Sequence, residues 1–165
     1  MSLRGHHRSA NVLDRTVTFL IVRLGASYLA LPSEGVRGVL TREEAGNEGT
    51  VTALGINYHA VDLAGLMAVS ADFTVQDART VLYSNGHSHG AIRVEDVIGL
   101  TDVDRTDCFP LPSQFRREER QWFGGMVLHQ GHVALIVSPS WVLGELADVV
   151  GVVSSGSAQA VSTRL

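Results

Sequence analysis

Short runs of apolar and β-branched residues, separated by glycine-containing turns, recur along most of the chain. The first run, Thr16–Leu24, ends at Gly25, and a second run follows from Tyr28 to Leu31. Gly25 suits a tight turn that needs positive φ, so the pattern predicts a β-hairpin. After Pro32, Ser33 is predicted to cap a short helical turn, and a new strand is expected from about Gly38.

The rest of the chain shows the same succession of short predicted strands, turns and helical segments. Asp62 is predicted to cap a short helix, and Asn85-Gly86 between apolar runs is a strong hairpin signal. Further predicted elements are strands at 50–56 and 58–61 separated near Asn57, a polar linker at 70–79, a strand at 80–84, a closing hairpin at 122–129 and 132–137, and a helix from Pro139 to about Ala147. Many short strands with regular turns predict an all-β protein of small barrels or a sandwich, with short helical turns and one C-terminal helix.

One segment of the chain occurs twice. Residues 25–38 align without a gap with residues 86–99, at a constant offset of 61. Identical pairs are Gly25/Gly86, Ser27/Ser88, Ala30/Ala91, Glu34/Glu95, Val36/Val97 and Gly38/Gly99. Two copies are too few for a solenoid, so we interpret the repeat as a duplicated β unit that forms two related halves.

Composition narrows the class of protein. The 165 residues are 45% hydrophobic and 18% charged, which fits one domain with an ordinary core. A net charge of −4 gives no global positive field, so a nucleic-acid partner is not expected. The single cysteine, Cys108, allows no intrachain disulfide, and no apolar run reaches the ~20 residues that a membrane helix needs. We therefore expect a cytoplasmic protein without membrane insertion, with a flexible arm at 1–15 and a disordered tail at 149–165.

Four blocks in this order resemble the CheW-like family, the adaptor domain that couples chemoreceptors to their histidine kinase. No single block is specific, but their order and spacing over residues 16–148 are. The blocks are Phe19-Leu-Ile-Val with Tyr28-Leu-Ala-Leu-Pro-Ser-Glu-Gly-Val-Arg-Gly-Val-Leu40, Tyr58-His-Ala-Val-Asp-Leu63, Gly90-Ala-Ile-Arg-Val-Glu-Asp-Val97, and Trp122-Phe-Gly-Gly-Met with His132-Val-Ala-Leu-Ile-Val.

The resemblance implies a domain at 16–148 of two five-stranded β-barrels related by a pseudo-twofold, with no catalysis and no cofactor. It implies binding to a chemosensory histidine kinase, a chemoreceptor, or both. It places the kinase-facing surface on the first barrel, at Val36, Arg37, Val39 and Leu40, with Leu54 and Ile56 as neighbours across the sheet. One departure is that Ala53-Leu-Gly-Ile-Asn57 stands where the family has Asn-Leu-Arg-Gly, so the arginine of the coupling surface is missing.

The residues also allow a second class, a barrel that binds a small molecule or catalyses a reaction. His87 and His89 would share one strand face, and His129 and His132 flank a turn, but further ligands at diagnostic spacing are missing, so no metal is expected. Acidic neighbours would raise the pKa of the Cys108 thiol. Glu34 and Glu95 are repeat-equivalent, and turn or capping duty is predicted for both. A deep polar cleft would favour the second class, and shallow apolar grooves the adaptor.

Overall fold

A computed structural model describes residues 15–47 and 49–144. The described chain is built almost entirely from short strands. They are β1 Thr16–Leu24, β2 Ser27–Pro32, β3 Val36–Thr41, β4 Thr50–Ala53, β5 Ile56–Val61, β6 Arg79–Ser84, β7 His89–Val94, β8 Asp96–Asp104, β9 Cys108–Phe109, β10 Phe123–His129 and β11 His132–Val137. Helical turns lie at Ser33–Gly35, Arg42–Ala45, Leu63–Met67, Arg105–Asp107, Glu119–Trp122 and Pro139–Val142. The all-β prediction is confirmed.

The strands form two sheets with matching order. Sheet A runs β8-β1-β2-β11-β10-β9, and sheet B runs β3-β6-β7-β5-β4. Each contains an antiparallel hairpin (β1–β2 or β6–β7) whose second strand pairs in parallel with a strand from outside the hairpin, β11 or β5 respectively. The five strands of sheet B therefore correspond one to one with five of sheet A. Sheet A differs only in β9, a two-residue strand that pairs with β10 and was not predicted.

The two halves exchange one strand each. The strand that follows the first hairpin, β3, crosses to sheet B and pairs with β6, while β8 crosses to sheet A and pairs with β1. Each crossing strand contains one extra residue in a bulge: Arg37 in β3 and Ile98 in β8. These two residues are 61 positions apart, as in the sequence repeat. The duplicated unit predicted from the sequence is therefore present down to the position of the bulge.

Side chains alternate between the two faces of each strand and pack into three separate cores. Along β1, Leu20, Val22 and Leu24 face the space between the sheets, while Phe19 and Ile21 face the inside of sheet A. The core between the sheets is the central core, which also includes Leu29, Leu31, Val81, Tyr83, Ile92 and Val94. The sheet-B core consists of Tyr58, Leu82 and Ala91, with Leu40, Val51 and Ala53 packed against it. Each hairpin thus contributes to the shared core and to a core of its own.

Several local predictions need correction. The hairpin turn between β4 and β5 lies at Leu54–Gly55, not near Asn57, which is inside β5. Ser33 is the first residue of its helical turn, and no side chain caps that turn. The helix that begins at Pro139 ends at Val142, with Leu143 as its C-cap and Gly144 at positive φ, and the predicted end near Ala147 lies outside the described residues. By contrast, Asp62 caps its helix, since its Oδ1 accepts a hydrogen bond from the Gly65 amide at 3.1 Å.

Glu95 joins the two halves where β7 turns into β8. Its buried carboxylate accepts hydrogen bonds from the backbone amides of Gly25 and Asp72, the latter at 3.2 Å, and lies 3.8 Å from Nη1 of Arg23. The predicted turn duty is confirmed for Glu95. The repeat-equivalent Glu34 is exposed instead, and no hydrogen bond of its carboxylate is found among the described residues.

Candidate functional site

The turn Ser33–Gly35 that leads into β3 is supported from below by Tyr83. The Tyr83 ring is 1% exposed, and its hydroxyl donates a hydrogen bond to the Pro32 carbonyl at 2.8 Å. Gly35 lies flat on this ring, because a Cβ at this position would be 2.4 Å from Cζ. Burial raises the pKa of Tyr83 to about 12, with a smaller contribution from the Glu34 carboxylate and an opposing one from Arg37. The Tyr83 ring therefore supports this turn, through its contact with Gly35 and its hydrogen bond to the Pro32 carbonyl.

The predicted site residues on β3 divide between the interior and the surface. Val36 is half-buried against the central core, and Leu40 is half-buried against the sheet-B core. Arg37 and Val39 are exposed, Val39 at 40%. The bulge directs Arg37 outward, and its Nη1 donates to the Glu34 carbonyl at 2.7 Å. Since β3 is an edge strand, Arg37 and Val39 form an accessible pair, the β3 edge.

Leu54 and Ile56 lie at the tip of the β4–β5 hairpin, away from the β3 edge. Leu54 and Gly55 both have positive φ (51° and 78°), which is typical of a two-residue type I′ turn. Leu54 is fully exposed and Ile56 is 37% exposed. Strands β6, β7 and β5 separate β3 from β4 in the sheet order. The two groups are therefore not strand neighbours, and the six predicted residues form two surfaces.

A third surface, on β8, was not predicted from the sequence. Ile98 and Leu100 on the edge strand β8 are exposed, Leu100 at 67%, and they correspond to Arg37 and Val39 through the repeat. Applying the offset of 61 to the predicted residues would have found them. The pseudo-twofold thus presents two equivalent edges of different chemistry. One carries a guanidinium and a valine, and the other, the β8 edge, carries two large aliphatic side chains.

The histidines are dispersed differently from the prediction. His87 lies in the β6–β7 turn and only His89 belongs to β7, so they do not share a strand face. His129 and His132 pair across the last hairpin, and His132 stacks on Tyr28 with ring centroids 4.4 Å apart. Among residues 15–47 and 49–144, no cluster of three His, Cys, Asp or Glu side chains is arranged to hold a metal ion.

Two features bear on the alternative of a ligand-binding or catalytic barrel. An open cavity of about 810 Å³ is lined by residues that include His59, His87, Leu66 and Leu143. Cys108 is half-buried, and burial is the main reason that the pKa of its thiol is raised, with Asp107 and Asp104 adding to the shift and Arg105 opposing it. The predicted direction of the pKa shift is confirmed, although burial contributes more to the shift than the acidic neighbours do. A protonated thiol is a poor nucleophile.

Two β units that exchange one strand each define a small β domain with exposed strand edges and an exposed hairpin tip. The CheW-like domain family matches residues 18–147, and the chain belongs to this family. CheW-like scaffolding proteins are chemotaxis scaffolds and are not catalytic. No helix in the described part of the chain is long and apolar enough to span a membrane.

The fold also has a counterpart among solved structures. It is similar to the crystal structure of the scaffolding protein TtCheW from Thermoanaerobacter tengcongensis, with a TM-score of 0.64 and 14% sequence identity. The similarity covers 74% of this chain and 84% of that chain. No curated protein sequence matches the chain significantly. At this identity the similarity establishes the fold, and the binding surfaces must be argued from this chain's own residues.

Proposed function

We propose that this protein is a cytoplasmic chemotaxis adaptor that couples chemoreceptors to a histidine kinase through protein–protein contacts. The observation that carries the proposal is membership of the CheW-like family over residues 18–147. Coupling requires two partners to be held at once, and the domain offers separate edges for them. The β3 edge and the β8 edge occupy equivalent positions in the two sheets.

The β3 edge is the proposed kinase-facing surface. Val36 and Leu40 anchor the strand in two cores, so Arg37 and Val39 are presented on a fixed support. Only one hydrogen bond of the Arg37 guanidinium is satisfied within the described chain, by the Glu34 carbonyl. The remaining donors suit a carboxylate on the partner, which arginine binds in a planar, two-point geometry.

The hairpin tip is proposed to act through apolar contact. The family pattern has an arginine in this region, and this chain places the fully exposed side chain of Leu54 there. A leucine with positive φ is uncommon, because the left-handed region disfavours residues with a bulky side chain. Such a projecting side chain suits an apolar pocket on a partner rather than an ion pair.

Exchange of Arg37 for glutamate is expected to weaken binding to the kinase. A like-charge contact at the interface costs several kcal/mol, so the dissociation constant should rise by roughly a hundredfold. Stability should change by no more than about 0.5 kcal/mol, because the side chain is exposed. Isothermal titration calorimetry with the kinase's regulatory region and with a receptor cytoplasmic fragment measures the first effect, and thermal denaturation the second.

The control variant is Arg117→Glu, which makes the same change of charge at another exposed arginine. It should bind both partners like the wild type. Unchanged affinity of Arg37→Glu for both partners would remove the β3 edge from the proposal. A large fall in its melting temperature would show instead that Arg37 is structural.

Residues 16–148 are proposed to fold as one domain of two subdomains, between an arm at 1–15 and a tail at 149–165. The exchanged strands support this, because neither sheet is complete without a strand from the other half. Limited proteolysis with mass spectrometry should therefore give early cleavage only outside 16–148. Early release of separate fragments by cleavage in the 70–78 linker would contradict a single domain.

A further inference from the structure

Three arginines surround one end of sheet B. Arg42 begins the helical turn after β3, Arg79 begins β6, and Arg93 lies near the end of β7. All three line one cavity of about 100 Å³, together with Phe73 and Thr80. The geometry points to a binding site here for a small anion with a phosphate or carboxylate head group. This inference is independent of the adaptor proposal.

The internal contacts of these arginines leave most of their donors unused. Among residues 15–47 and 49–144, Arg42 finds partners only for Nη1, which donates to the carbonyls of Thr74 and Val75. Arg79 also uses only Nη1, which donates to the carbonyls of Gln76 and Ala78 at 3.0 and 2.8 Å. Each guanidinium carries five N–H donors, so Nε and Nη2 of both side chains are available to a ligand.

Within the described part of the chain, Arg93 is held by stacking on an aromatic ring, and its side chain makes no hydrogen bond there. Its Cζ lies 4.6 Å from the centroid of the Phe73 ring. A stacked guanidinium keeps its donors at the rim of its plane, where they can engage two oxygens of a phosphate or carboxylate. The 70–78 linker thus orients Arg42 through its carbonyls and Arg93 through Phe73.

No carboxylate of the described chain forms a salt bridge with the cluster. None of the three arginines has an Asp or Glu oxygen within 4.0 Å among residues 15–47 and 49–144. Glu44 and Asp72 are influenced by Arg79 and Arg42 over longer range, but each already accepts hydrogen bonds from its own turn. Glu44 accepts from the Thr41 amide, and Asp72 accepts from Thr74. The three guanidinium groups therefore have no salt-bridge partner within the described chain, and the ionised Glu44 and Asp72 act on Arg79 and Arg42 only at longer range.

The surrounding space limits the size of the ligand. A second cavity of about 250 Å³ shares Arg93, Thr80 and Asn47 with the first and continues along Val51, Ala60 and Ala91. The first cavity, lined by the three arginines, suits a head group with several oxygens. The second cavity suits a short and mostly uncharged remainder of the ligand. These dimensions favour a small phosphate monoester or carboxylic acid over a folded partner. Binding would join the segment after β3 to β6 and β7.

The test uses the full chain and three probes at constant ionic strength: inorganic phosphate, glycerol phosphate and succinate. Saturable binding by calorimetry, with a rise in melting temperature, is expected for at least one of them. The pattern separates the two head groups, since succinate alone would indicate a carboxylate site and the two phosphates alone a phosphate site. Arg93→Gln should weaken binding roughly tenfold or more, because it removes charge-assisted hydrogen bonds.

Arg117→Gln is the matched control, since it removes an exposed arginine outside the cluster and should leave binding unchanged. Arg42→Gln provides a second site variant if Arg93→Gln unfolds, and the same loss is expected. The inference is overturned if no probe binds saturably. It is also overturned if all three arginine variants bind alike, which would mean general attraction by surface charge.

Discussion

Replacing Glu95 with alanine is expected to lower the free energy of unfolding by roughly 3 kcal/mol. The change removes the acceptor of two backbone amides, those of Gly25 and Asp72, and the ionic neighbour of Arg23. A partly buried donor that loses its acceptor costs the full desolvation of that group, which exceeds the value of an ordinary hydrogen bond. Chemical denaturation of the purified variant at neutral pH measures the effect.

The repeat supplies the control for this prediction. Glu34→Ala makes the same substitution at the equivalent position, where the side chain is exposed, and should change stability by no more than about 0.5 kcal/mol. Glu95→Gln keeps one acceptor oxygen and should lie between wild type and Glu95→Ala. Equal stability of the two alanine variants would show that the corner of β7 and β8 does not depend on the carboxylate.

Gly35→Ala is expected to lower stability by about 2–3 kcal/mol, the upper part of the range for an overpacked core. The new Cβ would lie 2.4 to 2.8 Å from three atoms of the Tyr83 ring, which is enclosed by the central core and cannot withdraw. The melting temperature should fall by roughly 5–10 °C, as measured by calorimetry.

A double-mutant cycle tests the cause of that loss. If the ring is responsible, Gly35→Ala should cost much less in a Tyr83→Leu background, because the smaller side chain relieves the contact. Gly124→Ala is the matched control, since a Cβ there meets no atom within 4 Å and the residue is exposed. An unchanged cost of Gly35→Ala in the Tyr83→Leu background would exclude the aromatic contact as the reason.

Much of the fold could be predicted from the sequence because the repeat and the hairpin turns carry local signals. The offset of 61 between residues 25–38 and 86–99 indicated two equivalent units, and the structure has them. Asp62 was a recognisable cap because its carboxylate accepts from an amide three residues on. These signals depend on a few neighbouring residues, so they can be read without knowledge of the tertiary structure.

The errors arose where the structure departs from residue preference. Asn57 is typical of turns, yet it lies inside β5, and the turn falls on Leu54, which has no turn preference. The side chain of Ser33 was expected to cap a turn that is supported by Tyr83 instead, a residue 50 positions away. The two-residue β9 is too short to give a pattern of its own.

For the candidate site, the exposure of residues within one strand could be predicted, but which strands lie side by side could not. The charge of Arg37 indicated that its side chain would be exposed, and it is. The grouping of the β3 residues with Leu54 and Ile56 was wrong as a strand-to-strand contact, because sheet order depends on long-range pairing. The arginine cluster was missed for the same reason, since Arg42, Arg79 and Arg93 meet only through the arrangement of β3, β6 and β7.

The exchange of β3 and β8 has a consequence for the time course of folding. Thr16 at the start of β1 pairs with Asp104 at the end of β8, so this pairing closes most of the described chain into a loop. Contacts so distant in sequence form slowly, because the entropy of closing the loop is lost before the pairing stabilises it. During synthesis, the first hairpin leaves the ribosome with the outer edge of β1 uncovered, and it remains so until residues 96–104 follow. The newly made chain therefore carries an open strand edge, the kind of surface on which chains aggregate, through a large part of its own translation.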